Sequence, residues 1–161
     1  MPELPKRIPG SLKAEDSKQL VDLVEGKNVL QLGCYCGRAT VVLSRHAAKV
    51  WVLEDFPLLE GIIGVTEELK SNIDRYVPPE SEIYLLRGTA DNWFVPEGSE
   101  DLQPGMVDVV YRDANRSEDS READDNLALH LLQRTGGVYA WHNAKHELKW
   151  LQIQPVPVEV N

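Results

Sequence analysis

Apolar positions fall into two alternating rhythms along the chain: short unbroken runs, and longer segments with apolar residues three and four apart. The first helical segment, SLKAEDSKQLVDLVEG (11–26), sets Leu20, Leu23 and Val24 at helical spacing and stops at Gly26. NVLQL (28–32) is an apolar strand. A helix from Arg38 to Ala47 follows, with Ala39, Val42, Leu43 and His46 along one side, and KVWVLE (49–54) is a second strand. TEELKSNIDRYV (66–77) reads as a helix with Thr66 as its N-cap, closed by Pro78 and Pro79. EIYLLR (82–87) is a third strand ending at Gly88, and TADNWFVPEGSEDLQPG (89–105) is mostly loop with one helical turn. MVDVVYR (106–112) is a fourth strand. The helix SEDSREADDNLALHLLQR (117–134) spaces Ala123, Leu127 and Leu131 four apart and ends at Gly136 and Gly137, and GVYAWH (137–142) is a fifth strand.

Strands that are unbroken apolar runs, alternating with helices, predict an α/β fold: a Rossmann-like, doubly wound, mostly parallel sheet with helices on both faces. Residues 1–10, with three prolines, read as an irregular arm, and 1–161 as a single domain. There are no internal repeats.

Composition narrows the function classes. The chain is 42% hydrophobic, enough for one core, and its net charge is −9, which argues against a nucleic-acid partner because phosphate binding needs a basic face. No apolar run approaches the roughly 20 residues that span a bilayer, and MPELPKRIPG lacks the apolar core of a signal peptide. Cys34 and Cys36 are too close for a relaxed disulfide and read as small buried residues. The expected compartment is the reducing cytoplasm.

The chemistry concentrates in VLQLGCYCGRATVVL (29–43), where Gly33 and Gly37 bracket the turn from the first strand into a helix. A glycine directly after such a strand lets the backbone turn tightly and approach a ligand, and the helix start that follows presents unpaired N–H groups. The G-x-x-x-G spacing lacks the middle glycine of the dinucleotide motif G-x-G-x-x-G, so the loop is wider and suits a ligand without a pyrophosphate. Glu54, ending the second strand, supplies a carboxylate that can accept both hydroxyls of a ribose. The plainer alternative is a tight turn with no ligand and a solvated acid at a strand end.

The first motif, VLQLGCYCGRATVVLSR, resembles that of class I S-adenosylmethionine-dependent methyltransferases, and more narrowly the catechol O-methyltransferase-like group of small-molecule O-methyltransferases. The resemblance continues through KVWVLED, IYLLRGTAD, DVVYRDANR and LLQRTGGVYAWHNA, and covers Val29 to Ala144. It implies that Gly33, Cys34, Tyr35 and Gly37 line the methionine part of S-adenosylmethionine, that Glu54 binds the ribose, and that Thr89, Ala90 and Asp91 lie beside the adenine. Gln31 stands where the family has an acid; it can hydrogen-bond the loop but cannot pair as a charge with the cofactor's ammonium group. In the resembled group a divalent metal binds the acceptor hydroxyls, and the matching ligand positions are Asp113, His142 and Asn143. An imidazole there suits Zn²⁺, Fe²⁺ or Mn²⁺ better than Mg²⁺.

The family's general base falls on Arg116, which cannot be deprotonated at neutral pH; it is expected to pair with Asp113, the alternative being to hold an anionic substrate. His146 is the reserve base, whereas His46 and His130 lie on helices that cover the sheet. Asp113 is placed both at the cofactor and at the chemistry. Trp93, Trp141 and Trp150 either wall an aromatic pocket or pack in the core. The family closes its sheet with a helix and two further strands, which the 18 residues after Asn143 cannot build, so truncated C-terminal strands are expected, with KWLQIQ or VPVEV as a short edge blunted by Pro155, Pro157 and Glu159. Leu148, Trp150, Leu151 and Ile153 should then fold back on the sheet or bury against a second copy, giving a monomer or a homodimer. The function implied is O-methylation of a small-molecule hydroxyl. The alternatives are a cofactor-binding module that has lost catalysis and, disfavoured by the missing glycine, an NAD-binding domain.

Overall fold

The computed structural model describes residues 8–54, 64–93 and 102–157. In chain order the elements are α1 (Ala14–Val24), β1 (Asn28–Leu32), α2 (Arg38–His46), β2 (Lys49–Glu54), α3 (Val65–Tyr76), β3 (Glu82–Arg87), the single turn α4 (Ala90–Trp93) and β4 (Val109–Arg112). A 3₁₀ turn (Glu118–Ser120) then leads into α5 (Arg121–Leu132), followed by β5 (Gly137–His142) and β6 (Leu148–Ile153). The six strands form one sheet in the order β3-β2-β1-β4-β5-β6. β1 to β5 run parallel, and β6 returns antiparallel along β5 with Gly137 opposite Ile153 and His142 opposite Leu148.

Alternation along the strands builds two cores. Val29, Val50, Val52, Val109 and Tyr111 face α1, α2 and α3, where Leu20, Val24, Val41, Val42, Leu43 and Leu69 are buried. Leu30, Leu32, Leu53 and Val110 face the other way, against Leu127, Leu131 and Leu132 of α5. A strand buried on both faces cannot alternate apolar with polar residues, which is why β1 and β2 are apolar runs. Helix α2 is buried from Ala39 through Ser44 because it sits between α1, α3 and the sheet.

Most expected boundaries agree with the structure to within a few residues, and three differences are instructive. Helix α3 starts at Val65, with Gly64 as its N-cap in the left-handed region (φ 83°). Thr66 is therefore inside the first turn, and its hydroxyl has no hydrogen-bond partner among the described residues. The expected N-terminal arm is described from Ile8 onward; Ile8 is buried, and Arg38 donates from Nη1 to the Ile8 carbonyl and from Nε to the Leu12 carbonyl, both at 2.9 Å. The edge strand is the KWLQIQ candidate; VPVEV runs largely outside the described residues, as does Glu159. Leu148 is buried, but Trp150 and Leu151 stay 49% and 52% exposed, because β6 is the edge and no layer of the described structure lies beyond it.

Candidate functional site

A cleft of about 620 Å³ opens at the carboxyl ends of β1, β2 and β4, within the range of small-ligand sites. One wall holds Gly33, Cys34 and Tyr35 with Glu54, another Thr89, Ala90 and Asp91, and a third runs through the loop after β4 from Asp113 and Asn115 to Ala123.

The β1–α2 turn is unusually shaped. Gly33 (φ 80°), Tyr35 (φ 47°) and Gly37 (φ 90°) all take left-handed conformations, which for tyrosine is uncommon and is tolerated at ligand-binding turns. A Cβ on Gly33 would lie 2.9 Å from Arg116 Cδ and 3.6 Å from Glu54 Oε2, and one on Gly37 would lie 3.0 Å from Leu69 Cδ1. The two glycines thus admit protein neighbours as well as the turn's dihedrals. Backbone bonds carry the strand ladder into the loop: the Gly33 N–H donates to the Leu53 carbonyl at 2.9 Å, and the Cys34 N–H donates to Glu54 Oε2 at 2.7 Å.

Glu54 is 6% exposed and is compensated by charge. Arg116 Nη1 lies 3.6 Å from Glu54 Oε1, while Arg116 Nε and Nη2 each donate at 2.9 Å to the two oxygens of Asp124. Asp124 is fully buried and also accepts from Arg112 Nε at 3.0 Å. The expected Arg116–Asp113 pair is therefore corrected: the planar guanidinium finds a two-oxygen acceptor in Asp124, the geometry arginine favours. Asp113 instead accepts the Asn115 N–H at 2.8 Å, with Gln31 Nε2 3.5 Å away. Burial, the dominant cause, pushes its carboxyl up to about 7. Gln31 bonds not the loop but Thr40 Oγ1 in α2 at 2.9 Å, and it stands behind Asp113, outside the residues that line the cleft. Burial, reinforced by the charges of Glu54 and Asp113, raises the Cys34 thiol far above its ordinary range, and burial also raises Cys36, so neither is a nucleophile.

Of the expected metal ligands, Asp113 lines the cleft, whereas His142 and Asn143 are not among its lining residues and are engaged by protein partners. His142 is buried on the α1 side of the sheet, where Nε2 lies 2.8 Å from the Tyr111 hydroxyl and Nδ1 faces the His146 carbonyl at 3.4 Å and Asp16 Oδ2 at 4.0 Å. A carbonyl only accepts, so Nδ1 carries the proton and Nε2 is engaged by Tyr111; burial keeps the ring neutral. Asn143 Oδ1 accepts the N–H groups of Lys145 and Glu147 and so closes the β5–β6 turn. Among the described residues no group of three or more His, Cys, Asp or Glu is placed to hold a metal ion. His146, the reserve base, is exposed in that same turn at φ 60° and does not line the cleft.

His46 instead meets Glu25 at 2.8 Å on the protein's flank. Trp141 packs beside Tyr139 and under Arg121, and with Trp150 lies off the cleft; the Trp93 side chain is outside the described residues. Sequence reasoning missed Arg112 and Asp124. Their only signal is a charge ending an apolar strand, with its partner twelve residues away in a helix.

No protein-family model matches the chain, and no curated protein matches it in sequence. Solved structures do match. An O-methyltransferase from Bacillus cereus in complex with SAH is 24% identical, with a TM-score of 0.62 over 87% of this chain and 60% of its own. Precorrin 8w decarboxylase of Methanobacterium thermoautotrophicum is 14% identical, with a TM-score of 0.60 over 83% of this chain and 64% of its own. A SAM-dependent O-methyltransferase from Thermotoga maritima is 16% identical, with a TM-score of 0.59 over 88% of this chain and 49% of its own. The chain thus spans less than two thirds of the length of each. No helix among the described residues is long and apolar enough to cross a membrane. The likeness is one of architecture, and it identifies the chain as having the Rossmann-like α/β fold of S-adenosylmethionine-dependent methyltransferases.

Proposed function

We propose that the chain binds S-adenosylmethionine in the cleft above Gly33 and transfers its methyl group to a hydroxyl of a small molecule. The observation that carries this reading is Glu54: a buried carboxylate at the end of β2, held against the Gly33–Cys34 turn and lining a cleft of nucleoside size. Its oxygens can accept the ribose hydroxyls. Thr89, Ala90 and Asp91 offer a wall for the adenine, and Cys34, Tyr35 and the turn closed by Gly37 one for the methionine part. Two of the similar structures are O-methyltransferases, one with SAH bound, which favours the same cofactor here.

Methyl transfer from a sulfonium needs alignment and an unprotonated acceptor. Asp113 lines the cleft, and its carboxyl, raised to about 7, is matched to taking a proton from an acceptor hydroxyl near neutral pH. Because His142 and Asn143 are engaged elsewhere, the proposal routes no step through a metal. A second reading, a cofactor-binding module without turnover, is favoured by one observation: no histidine or lysine is among the described residues that line the cleft.

Calorimetric titration with S-adenosylmethionine, S-adenosylhomocysteine and NAD tests the proposal. Binding of the first two and not the third is expected, together with label transfer from methyl-labelled cofactor to a hydroxyl in an acceptor panel. Binding without transfer would favour the module, and binding of NAD alone would overturn both.

A further inference from the structure

Arg116 occupies the sequence position expected for a base, yet it is one of the most tightly held side chains at the cleft. It is 8% exposed, its fork is closed on Asp124, and its remaining nitrogen points to Glu54 Oε1. Its Cδ lies 2.9 Å from where a Gly33 Cβ would stand, so the aliphatic stem also lies over the turn whose next N–H binds Glu54 Oε2. Asp124 in turn is fixed by Arg112 and by Ser120 Oγ at 3.1 Å. A chain of alternating charges, Arg112–Asp124–Arg116–Glu54, thus joins α5 and the loop after β4 to the carboxylate at the end of β2.

We propose that Arg116 is a positioning residue for the ligand anchor: clamped by Asp124, it holds the buried Glu54 carboxylate in place against the Cys34 N–H so that it can receive a ribose diol. The inference rests on the proposed binding of the adenosyl cofactor. A buried carboxylate without a compensating cation is costly and turns toward water or loses its charge. The 3.6 Å separation of Nη1 from Oε1 is an ion-pair distance rather than a hydrogen bond, so Arg116 compensates Glu54 without donating the bond that a ribose hydroxyl would make.

A double-mutant cycle read by calorimetry with S-adenosylhomocysteine tests this. Arg116→Met is expected to weaken binding about tenfold or more, Arg116→Lys to recover part of the loss, and the Glu54→Ala/Arg116→Met double variant to bind no more weakly than Glu54→Ala alone. Parent-like affinity in folded Arg116→Met, or losses that simply add, would overturn the proposal. Should Arg116→Met fail to fold, Asp124→Asn, which loosens the clamp and keeps Arg116, is expected to weaken binding, and unchanged affinity there would overturn it equally. A parent protein that does not bind S-adenosylhomocysteine would instead overturn the cofactor reading, and this inference with it.

Discussion

The Cys34 backbone N–H and the Glu54 side chain meet at 2.7 Å, joining the turn after β1 to the last residue of β2. Because the bond is buried and accepted by a carboxylate, it belongs to the stronger class of hydrogen bonds. It also fixes which way Glu54 faces, toward the cleft. Glu54→Ala is therefore expected to reduce S-adenosylhomocysteine affinity tenfold or more, since hydrogen bonds to a charged group contribute roughly 1.5–3 kcal/mol each. Glu54→Gln, which keeps an oxygen acceptor, should lose less. Calorimetry on both variants checks the order, and parent-like affinity in Glu54→Ala removes the anchor from the account.

Gly33 is expected to tolerate no side chain. At φ 80° a Cβ meets Arg116 Cδ at 2.9 Å, and Arg116 cannot retreat without leaving Asp124. Gly33→Ala should cost about 1–3 kcal/mol in denaturant unfolding and weaken cofactor binding, with Gly33→Val more severe. Unchanged affinity in a folded Gly33→Val protein contradicts the role of this turn.

Much of this was legible in the sequence, and for a physical reason. In a parallel sheet the strands end on the same side, so Gly33 and Glu54 could be placed together from the strand pattern, while Thr89 to Asp91 and Asp113 followed from the resemblance to the methyltransferase motifs. What strand ends do not reveal is which face a side chain takes. On β5, Tyr139 and Trp141 face α5 while Ala140 and His142 face α1 and α2; the alternation carries His142 to Tyr111, and it is not among the residues that line the cleft. The partner of Arg116 was illegible because it depends on the rotation of α5 against the loop after β4. Gly64 displaced Thr66 as the cap because the chain enters α3 in a left-handed conformation, which glycine adopts most readily.

Asp113 gives the protein a pH signature. Burial raises its carboxyl to about 7 in the folded state, against about 3.9 for an exposed aspartate. Between those values the folded chain holds a proton that the unfolded chain releases, so this group's stabilising contribution is full below about pH 4 and is lost as the pH rises through 7. Urea unfolding of the parent should show a larger fall in stability between pH 5 and 8 than Asp113→Asn shows. Equal falls in the two proteins contradict the assignment.

Gly137 is predicted to be a purely structural glycine. A Cβ there would strike the Asp108 carbonyl oxygen, and Leu132 Cδ2 would stand only 2.7 Å away. The Val138 N–H donates to that same Asp108 carbonyl at 3.0 Å, which holds the backbone in place. Gly137→Ala should destabilise the fold by about 2–3 kcal/mol while leaving cofactor affinity unchanged in the folded fraction. A loss of affinity without a loss of stability would place Gly137 in the site, contrary to its position at the start of β5.

The central claim is that an adenosyl cofactor lies with its ribose on Glu54, and a crystal structure of the protein grown with saturating S-adenosylhomocysteine tests it most directly. The predicted result is density for the ligand in the cleft, with both ribose hydroxyls within hydrogen-bond distance of the Glu54 carboxylate and the adenine beside Thr89, Ala90 and Asp91. Density for the ligand elsewhere, or a well-ordered cleft without it, would contradict the account.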